Sequence, residues 1–398
     1  MITPHRDCVS TSVDEKLQWF KEATWSGELS RTAQESLRHL LEDSLEEEIN
    51  YQLGISRPYE RVGPRDQRNG YYTRRLETHR GPLSALRVPR SRRGEYEPQV
   101  FRRYQQRTAE VDEAICRMFL RGISTREVGA VLEVLTGSTV SASTVSRVCT
   151  VLDGLVREFH RRPVEDEYQY LILDGIWLRC KGAQPGRKVV VRAAYGLTRA
   201  GRRELIDFHQ AASESEEDWG RFLASLHQRG LRGAQLAAVT TDGATGLIAA
   251  LDLIYPLVKR QRCWVHKLRN VGAKLRVRNQ EACLGGARSI YQAATRQEAI
   301  AAFRTWQGRW REEEPAAVRC LAQDLEALLV CFDMPAAHRR KMRTTNALER
   351  TFREVRRRTN PMSCFNNWAS VERITFAVLH HQNLNWSRKL LPEFTHNS

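Results

Sequence analysis

The chain has 398 residues with 41% hydrophobic content, a length that predicts two or three domains with a full apolar core. Lys and Arg number 63 against 47 Asp and Glu, and the formal net charge of +16 indicates a polyanionic partner. There is no run of 18 apolar residues, no hydrophobic leader in residues 1–10 and no Cys-x-x-Cys pair among nine cysteines. We therefore expect a cytoplasmic chain with reduced thiols and no membrane contact, and the pattern argues against disulfide scaffolds and zinc fingers.

Residues 1–56 are predicted to form an N-terminal helical module. Apolar residues recur there at helical spacing, namely Leu37, Leu40, Leu41, Leu45 and Ile49. Acidic residues from Glu42 to Glu48 occupy the remaining face, which we interpret as solvent exposed.

Residues 57–108 form an Arg-rich segment. Positions 57–107 hold 14 Arg, no Lys and 5 acidic residues, a net charge of 14 − 5 = +9, and repeated Pro and Gly exclude long helices. One short strand is predicted at Leu83 to Pro89. Because Arg pairs with phosphate and Tyr stacks on sugar or base, we expect DNA contact here. The contact residues would be Arg68, Tyr71, Arg74 and Arg90. The alternative is a basic linker without specific contacts.

Residues 109–163 read as a helix-turn-helix-like DNA-binding region. Ser124 and Glu127 have capping-box spacing and open a helix that runs through Leu135 and stops at Gly137. A second helix is predicted from Val145 to about Phe159, after a cap at Ser141, Ser143 or Thr144. Residues expected to reach DNA are Arg126, Ser143, Thr144 and Arg147. Two packed helices that do not touch DNA would give the same pattern.

From residue 164 the pattern predicts an α/β domain. Tyr170 to Asp174 reads as a buried strand that ends on a carboxylate at the rim of a sheet, although an Asp that caps the following turn is the alternative. Further elements are predicted as strands 188–197, 204–210, 235–243 and 257–266, with helices opening at Ser213 and spanning 246–254. This order of three strands, helix, strand, helix, strand matches a ribonuclease H-like mixed sheet.

The catalytic domain is predicted to comprise residues 164–270 and 341–387. A helical insertion over 271–340 separates the two parts, and residues 388–398 are expected to be a flexible tail. In the second part, Leu348, Phe352 and Val355 form a packing face, with Glu349 beside Arg353 and Arg356. An ordinary amphipathic helix with salt-bridged charges would give the same sequence pattern.

Three carboxylates far apart in sequence are expected to converge, namely those of Asp174, Asp242 and Glu349. Carboxylates crowded together repel one another, and divalent cations remove that cost. Oxygen ligands suit Mg²⁺ or Mn²⁺, and two such ions about 4 Å apart activate a nucleophile and stabilise a leaving oxygen at a phosphodiester. We expect Asp174 to bridge both ions.

At these residues the sequence resembles the Mutator-type insertion-sequence transposases of bacteria. The stretches that carry the likeness are Arg68–Tyr72, Leu86–Arg90, Gly122–Arg126, Ser143–Arg147, Thr241–Gly243, Gln261–His266 and Thr344–Arg350. The resemblance implies a DDE transposase with a ribonuclease H-like catalytic domain. Such an enzyme binds the terminal inverted repeats of its element, cuts at the ends and joins them to target DNA. The family's acidic triad falls on Asp174, Asp242 and Glu349.

The resemblance also implies auxiliary residues. Cys263 and His266 fall on a Cys-x-x-His signature, with His266 expected near the scissile phosphate and Cys263 beneath it; a core Cys with a hydrogen-bonded His is the alternative. Asn346 belongs to the Thr-Thr-Asn block, and Gly175 departs from the expected pattern. Residues expected to hold the DNA backbone are Arg350, Arg353, Arg356 and Arg357.

Because two element ends must be paired, we expect a homodimer or higher oligomer. We expect it to act at the bacterial nucleoid. Two other functions remain open from the sequence. One is a domesticated DNA-binding protein without chemistry, and the other is a structure-specific nuclease on the same sheet.

Overall fold

The computed structural model describes residues 24–56, 66–102, 104–180, 188–360, 365 and 367–395. They divide into two compact units. The first contains the described residues up to 118 together with 124–148, and the second contains 119–123 and the described residues from 149 onward. None of the helices in these ranges combines the length and apolar character that crossing a membrane requires.

The first unit is built on a long helix and a β-hairpin. Helix α1 (Thr24–Leu53) packs on strands β1 (Arg68–Thr78) and β2 (Gly81–Ser91), which pair antiparallel. The apolar centre consists of Leu45, Leu76, Leu86, Val88 and Phe101. The strand predicted at Leu83 to Pro89 is confirmed as part of β2. Strand β1 was not predicted, because much of it is polar and exposed and its alternation of apolar residues is weak. Leu40 is likewise exposed rather than buried.

The acidic face of α1 is exposed only in part: Asp43 and Glu47 face solvent, whereas the other three acidic residues contact the Arg-rich segment. Glu46 pairs with Arg68 at 2.5 Å, and Glu42 accepts a hydrogen bond from the backbone N–H of Arg87 at 2.9 Å. Glu48 accepts one from the N–H of Gln99 at 2.5 Å. Part of the positive charge of the Arg-rich segment is therefore balanced within the unit.

Three helices complete the first unit: α2 (Ala109–Leu120), whose last residues enter the second unit, α3 (Thr125–Thr136) and α4 (Ala142–Val148). The predicted capping box is confirmed, since Ser124 accepts from the N–H of Glu127 and the Glu127 carboxylate accepts from that of Ser124. Gly137 ends α3 with φ of 69°, a conformation that favours glycine.

The predicted single helix from Val145 to Phe159 was wrong. Helix α4 ends at Val148, a 3₁₀ turn covers Cys149–Val151, and α5 (Leu152–Arg161) follows in the second unit. The run Val-Cys-Thr-Val at 148–151 consists of weak helix formers, which accounts for the interruption.

The second unit is a mixed α/β structure around a five-stranded sheet. Its strands and covering helices are, in chain order, β3 (Tyr168–Arg179), β4 (Lys188–Thr198), β5 (Arg203–Ala211), α6 (Glu216–Gln228), β6 (Ala238–Thr241), α7 (Thr245–Ile254) and β7 (Lys259–Arg262). The strand order is β5-β4-β3-β6-β7, with β3, β4 and β5 antiparallel and with β6 and β7 parallel to β3. Helices α6 and α7 cover one face through an apolar core that includes Leu171, Leu173, Trp219, Val239 and Leu247.

Three predicted boundaries differ from the structure. Strand β3 continues past Asp174 to Arg179 because β4 pairs with it over that length, whereas β6 pairs only with residues 170–172. Strand β7 ends at Arg262, and residues up to His266 belong to helix α8 (Trp264–Gly272). The cap of α6 is Ser215, which accepts from the N–H of Asp218, and not Ser213.

The predicted helical segment after the sheet forms its own apolar core. It contains α9 (Gln280–Gln292), α10 (Arg296–Trp310), α11 (Pro315–Gln323), α12 (Leu325–Leu329) and α13 (Ala336–Met342). Its buried residues include Trp306, Trp310, Leu321, Leu328 and Leu329, and the partly buried Leu325 packs against them.

The chain then returns to the sheet with α14 (Asn346–Thr359), α15 (Trp368–Ser387) and α16 (Pro392–Thr395). Residues 388–395 were expected to form part of a loose tail. Phe394 is nevertheless buried, and its ring stacks on His338 with 4.0 Å between centroids. Residues 396–398 lie outside the described ranges.

Two glycines give opposite predictions for stability. A Cβ at Gly196 in β4 would lie 2.3 Å from the buried Tyr168 ring, whereas one at Gly220 in α6 would meet nothing within 4 Å. We expect Gly196→Ala to lower the free energy of unfolding by about 1–3 kcal/mol through overpacking. Its matched control, Gly220→Ala, should raise that free energy by about 0.5–1 kcal/mol. Urea unfolding followed by circular dichroism measures both changes, and equal effects would contradict this packing.

Candidate active site

Asp174 and Asp242 lie near one another, since the charge of Asp242 acts on the Asp174 carboxyl. Asp174 lies on β3 two residues beyond the pair Ile172–Thr240, and Asp242 directly follows the last residue of the parallel strand β6. The side chain of Asp174 is buried, and its Oδ1 accepts a hydrogen bond from the N–H of Gly175 at 2.8 Å. Asp242 lies in the turn before α7 and accepts from the N–H of Ala244 at 2.9 Å. Both carboxylates therefore come from the edge where β6 ends.

Glu349 and His266 reach the same place from two helices. Glu349 is in the first turn of α14, and His266 is in the first turn of α8. The Nε2 atom of His266 lies 3.6 Å from a carboxylate oxygen of Glu349. One ligand atom from each of Asp174, His266 and Glu349 lies within 4.8 Å of the others, and we call these three residues the carboxylate–histidine cluster. Asp242 lies beside this cluster without being part of it.

Backbone hydrogen bonds fix α8 against the segment that leads into α14. The N–H of Cys263 donates to the carbonyl of Thr241 at 2.7 Å, and that of Trp264 donates to the carbonyl of Arg343 at 3.0 Å. Cys263 is fully buried and accepts a hydrogen bond from the N–H of Thr345 at 3.3 Å. The hydroxyl of Thr345 lies 3.4 Å from Nδ1 of His266. Cys263 and Thr345 therefore hold the imidazole in place.

The electrostatics of the cluster follow from burial and from these contacts. Burial raises the pKa of Asp174 to about 6, with Asp242 adding to the shift and His266 opposing it. The hydrogen bond with Cys263 raises the pKa of His266 to about 9 against the effect of its burial. Burial works to raise the pKa of Cys263, but hydrogen bonds from His266 and Thr345 lower it overall. At neutral pH the imidazole is therefore protonated and lies among carboxylates.

The cation that pairs with Glu349 was missed in the sequence. Nη1 of Arg269 lies 3.2 Å from Oε1 of Glu349, whereas we expected the arginines of α14 to occupy that position. Arg269 follows His266 by three residues on α8, so a helix through 266 would have revealed it. The predicted strand through His266 concealed this spacing. Arg350, Arg353 and Arg356 are exposed on α14 and form no ion pair with any residue in the described ranges.

Glu214 was also missed, and it explains the unexpected Gly175. A Cβ at position 175 would lie 3.0 Å from Oε1 of Glu214. Burial raises the pKa of Glu214, and the charge of Asp242 adds to this shift. Gly175 thus leaves room for a further carboxylate next to the cluster. Asn346 is the exposed first residue of α14, one turn before Glu349.

The predicted DNA-contacting residues of the first unit differ in accessibility. The Arg68 side chain is 3% exposed and pairs with Glu46. The guanidinium carbon of Arg87 lies 4.4 Å from the centre of the Tyr71 ring, and that of Arg74 lies 4.4 Å from the centre of the Phe101 ring. Thr144 is half-buried. The exposed members of the set are Arg90, Arg126, Ser143 and Arg147.

The cluster fits a divalent cation. Asp174 is a buried carboxylate that pairs with no Lys or Arg among the residues the structure describes, so its charge lacks a permanent counterion. Carboxylate oxygens are the ligands that Mg²⁺ and Mn²⁺ prefer. The protonated His266 cannot act as a ligand in that state, and it balances charge instead.

Comparison with known proteins gives a consistent result. A family model described as "Transposase, Mutator family" matches residues 10–389. The chain is 34% identical over 355 residues to the transposase for insertion sequence element ISRM5 of Rhizobium meliloti, covering 88% of each chain. It is 35% identical over 360 residues to the transposase for IS406 of Burkholderia multivorans, covering 89% of this chain and 91% of that one. With the transposase for IS905 of Lactococcus lactis the identity is 28% over 357 residues, or 89% and 90% of the two chains.

The raised pKa of Asp174 predicts a pH-dependent stability. Its pKa is 3.8 when unperturbed and about 6 in the folded chain, so the folded state retains a proton that the unfolded state releases. Its contribution to folding is full below about pH 4 and is lost as pH rises through 6. Asp174→Asn should therefore raise the free energy of unfolding at pH 8 by up to about 3 kcal/mol.

Thermal unfolding in a chelator between about pH 4 and pH 8 tests this. The gain in Asp174→Asn over the unmodified chain should shrink towards pH 4. The matched control is Asp43→Asn, an exposed carboxylate on α1, which should show no such trend. A gain that does not change with pH would contradict the buried carboxyl.

Proposed function

The chain belongs to the Mutator family of transposases, and from that membership and the carboxylate–histidine cluster we propose that it cleaves DNA at the inverted repeats of its own insertion sequence and joins those ends to target DNA. The observation that carries this proposal is the approach of Asp174, His266 and Glu349 within 4.8 Å, beside Asp242. A DNA-binding protein without chemistry needs no such arrangement of acids.

We assign the second unit to the ribonuclease H-like class. The support is its strand order, in which three antiparallel strands precede two parallel strands joined by helices α6 and α7. The helical segment over residues 271–340 is then an insertion, and α14 brings the last carboxylate back to the sheet.

Asp174, Asp242 and Glu349 are the proposed ligands of two divalent ions, Mg²⁺ or Mn²⁺. When bound, such ions lower the pKa of an attacking water or 3′-hydroxyl and stabilise the leaving oxygen. Asp174 would contribute to both sites because it adjoins Asp242, which follows β6, as well as Glu349 on α14. Arg269 orients the Glu349 carboxylate by its 3.2 Å contact.

His266 is the proposed hydrogen-bond donor to the scissile phosphate. Its imidazole carries a proton at neutral pH and adjoins both Glu349 and Asp174. Cys263 and Thr345 fix its orientation from the buried side. Asn346 is exposed one turn before Glu349, so we propose that its amide contacts the DNA strand next to the cleaved bond.

Arginines along α14 are proposed to hold the DNA backbone. Arg350, Arg353 and Arg356 are exposed next to the Glu349 turn, and Arg357 adjoins them although it pairs with Glu354 at 3.1 Å. In the first unit we propose that the inverted repeat is read through Arg90, Arg126, Ser143, Thr144 and Arg147. Because two ends must be paired before joining, we propose at least a dimer, acting at the bacterial nucleoid.

Loss of one carboxylate of the proposed metal site should strongly slow DNA cleavage. We expect Asp174→Asn and Glu349→Gln to slow nicking of a plasmid carrying the element ends by about 10²–10³-fold, because each removes a proposed ligand of the divalent ions that stabilise the transition state. A chelator should do the same to the unmodified chain, and Mg²⁺ or Mn²⁺ should restore it. The matched control Asp252→Asn changes a half-exposed carboxylate on α7 that pairs with Arg260, and it should cut normally.

The products of this assay distinguish the remaining functions. Normal nicking by Asp174→Asn would refute the assignment of the carboxylates. Hydrolysis without joining to a target plasmid would favour a nuclease, and tight binding without cutting would favour a repressor.

The α14 arginines predict a salt-dependent effect on DNA binding. Arg353→Ala should weaken duplex binding similarly for all sequences and reduce the slope of log affinity against log salt by about 1. Fluorescence anisotropy across a salt series measures this. Arg309→Ala is the matched control, because Arg309 is exposed on α10 and already pairs with Glu313 at 2.5 Å. An unchanged slope in Arg353→Ala would remove α14 from the DNA-binding surface.

A further inference from the structure

The first unit contains a groove of about 1010 Å³ between strand β1 and the turn before α4. Its wall combines aromatic rings, arginines and the carboxylates of Glu77 and Glu97. We call it the β1 groove, and its lining includes Tyr72, Arg74, Glu77, Phe101, Tyr104 and Thr144. All of these residues belong to the first unit. The groove is therefore separate from the carboxylate–histidine cluster, which lies wholly in the second unit.

The groove presents flat surfaces suited to stacking. The guanidinium carbon of Arg74 lies 4.4 Å from the centre of the buried Phe101 ring, which fixes a planar cation along the wall. Tyr72 adds a ring that is 43% exposed. Planar cations and exposed rings side by side bind the faces of nucleobases.

One carboxylate oxygen on the groove wall lacks a partner. Oε1 of Glu77 accepts a hydrogen bond from Nε of Arg75 at 2.6 Å, but its buried Oε2 has no hydrogen-bond partner among the described residues. Buried acceptors are normally satisfied, because an unmade hydrogen bond costs free energy. This oxygen therefore points to a ligand that donates a hydrogen bond.

Tyr104 occupies a strained backbone position on the groove wall. Its φ is 65°, in the left-handed region that favours glycine, and its side chain is 81% exposed. Among the described residues, no other non-glycine residue adopts a positive φ. Strain of this kind is retained where a side chain must be held in a particular place. Here it holds an aromatic ring at the edge of a groove lined by Tyr72 and Arg74.

We propose that the β1 groove binds unpaired DNA nucleotides, stacking bases on Tyr72, Tyr104 and Arg74 and accepting a hydrogen bond from a base amino group at Glu77. The identity of the nucleic acid as DNA rests on the proposed function. A paired duplex offers only base edges and phosphates, whereas an unpaired base offers its ring face. The volume of the groove lies at the upper end of the range for small-molecule sites, roughly 300–1,000 Å³. A site of this size accommodates unstacked bases but not a whole duplex.

The test uses the full chain with fluorescein-labelled oligo(dC) and oligo(dT) of about 12 nucleotides, and a mixed duplex of that length. Anisotropy titrations at one salt concentration give the affinities. We expect oligo(dC) to bind more tightly than oligo(dT), because cytosine carries an amino group that thymine lacks. Glu77→Met should remove this preference. Equal affinities in the unmodified chain would overturn the role of Glu77.

Two variants test the stacking surface. Tyr104→Gly and Tyr72→Ala should each lower the affinity for oligo(dC) by about tenfold while leaving the duplex affinity unchanged. Tyr104→Gly keeps the fold, because glycine adopts a φ of 65° without strain, and its thermal midpoint should not fall. The matched control is Tyr51→Ala, which removes a 91% exposed tyrosine of α1 outside the groove and should change neither affinity.

The groove proposal fails if both tyrosine variants bind oligo(dC) like the unmodified chain. It also fails if oligo(dC) and duplex affinities fall together, because the groove would then serve paired DNA. Neither outcome affects the proposed chemistry, which fails separately if Asp174→Asn cuts the element ends normally. Loss of oligo(dC) binding in Tyr104→Gly supports the groove whatever the cleavage assay shows.

Discussion

The second unit depends on one unfavourable placement, a carboxylate buried inside strand β3. Burial raises the pKa of Asp174 to about 6, so its charged form needs cations nearby. Helix α8 supplies two of them: the protonated His266, and Arg269, which pairs with the Glu349 carboxylate that α14 brings to the cluster. Cys263 and Thr345 hold this arrangement from the buried side. The site therefore gathers carboxylates and cations into one cluster, and the sheet gives it a rigid base.

Elements governed by local signals were predictable from the sequence. The capping box at Ser124, the buried strand through Leu173 and the packing face of Leu348, Phe352 and Val355 each depend on residues within a few positions. Contacts between distant residues were not predictable. Glu46 neutralises Arg68 across 22 positions, and Arg269 reaches Glu349 only because α8 begins earlier than the apolar pattern indicated. The three acids could be named from the sequence, but His266 as their nearest partner required the fold.

The positive charge that is left unpaired in the structure is smaller and more localised than the composition indicated. The Arg-rich segment carries much of the excess charge, yet α1 places Glu42, Glu46 and Glu48 against it. These contacts make the segment a folded hairpin in place of a basic linker. Arginines such as Arg353 are exposed and form no ion pair in the described ranges, so their charge is not compensated there. Net charge therefore indicates the class of partner, while ion pairs within the chain decide which charged residues remain available to contact it.

The hydrogen bond from Trp264 to Arg343 has a consequence for how the enzyme tolerates change. It places the start of α8 beside the residue that leads into α14, although 79 positions separate them along the chain. The helices between these two residues therefore begin and end at neighbouring points on the sheet. Lengthening or shortening a loop such as that between α10 and α11 therefore changes the outer surface without moving Glu349 relative to Asp174.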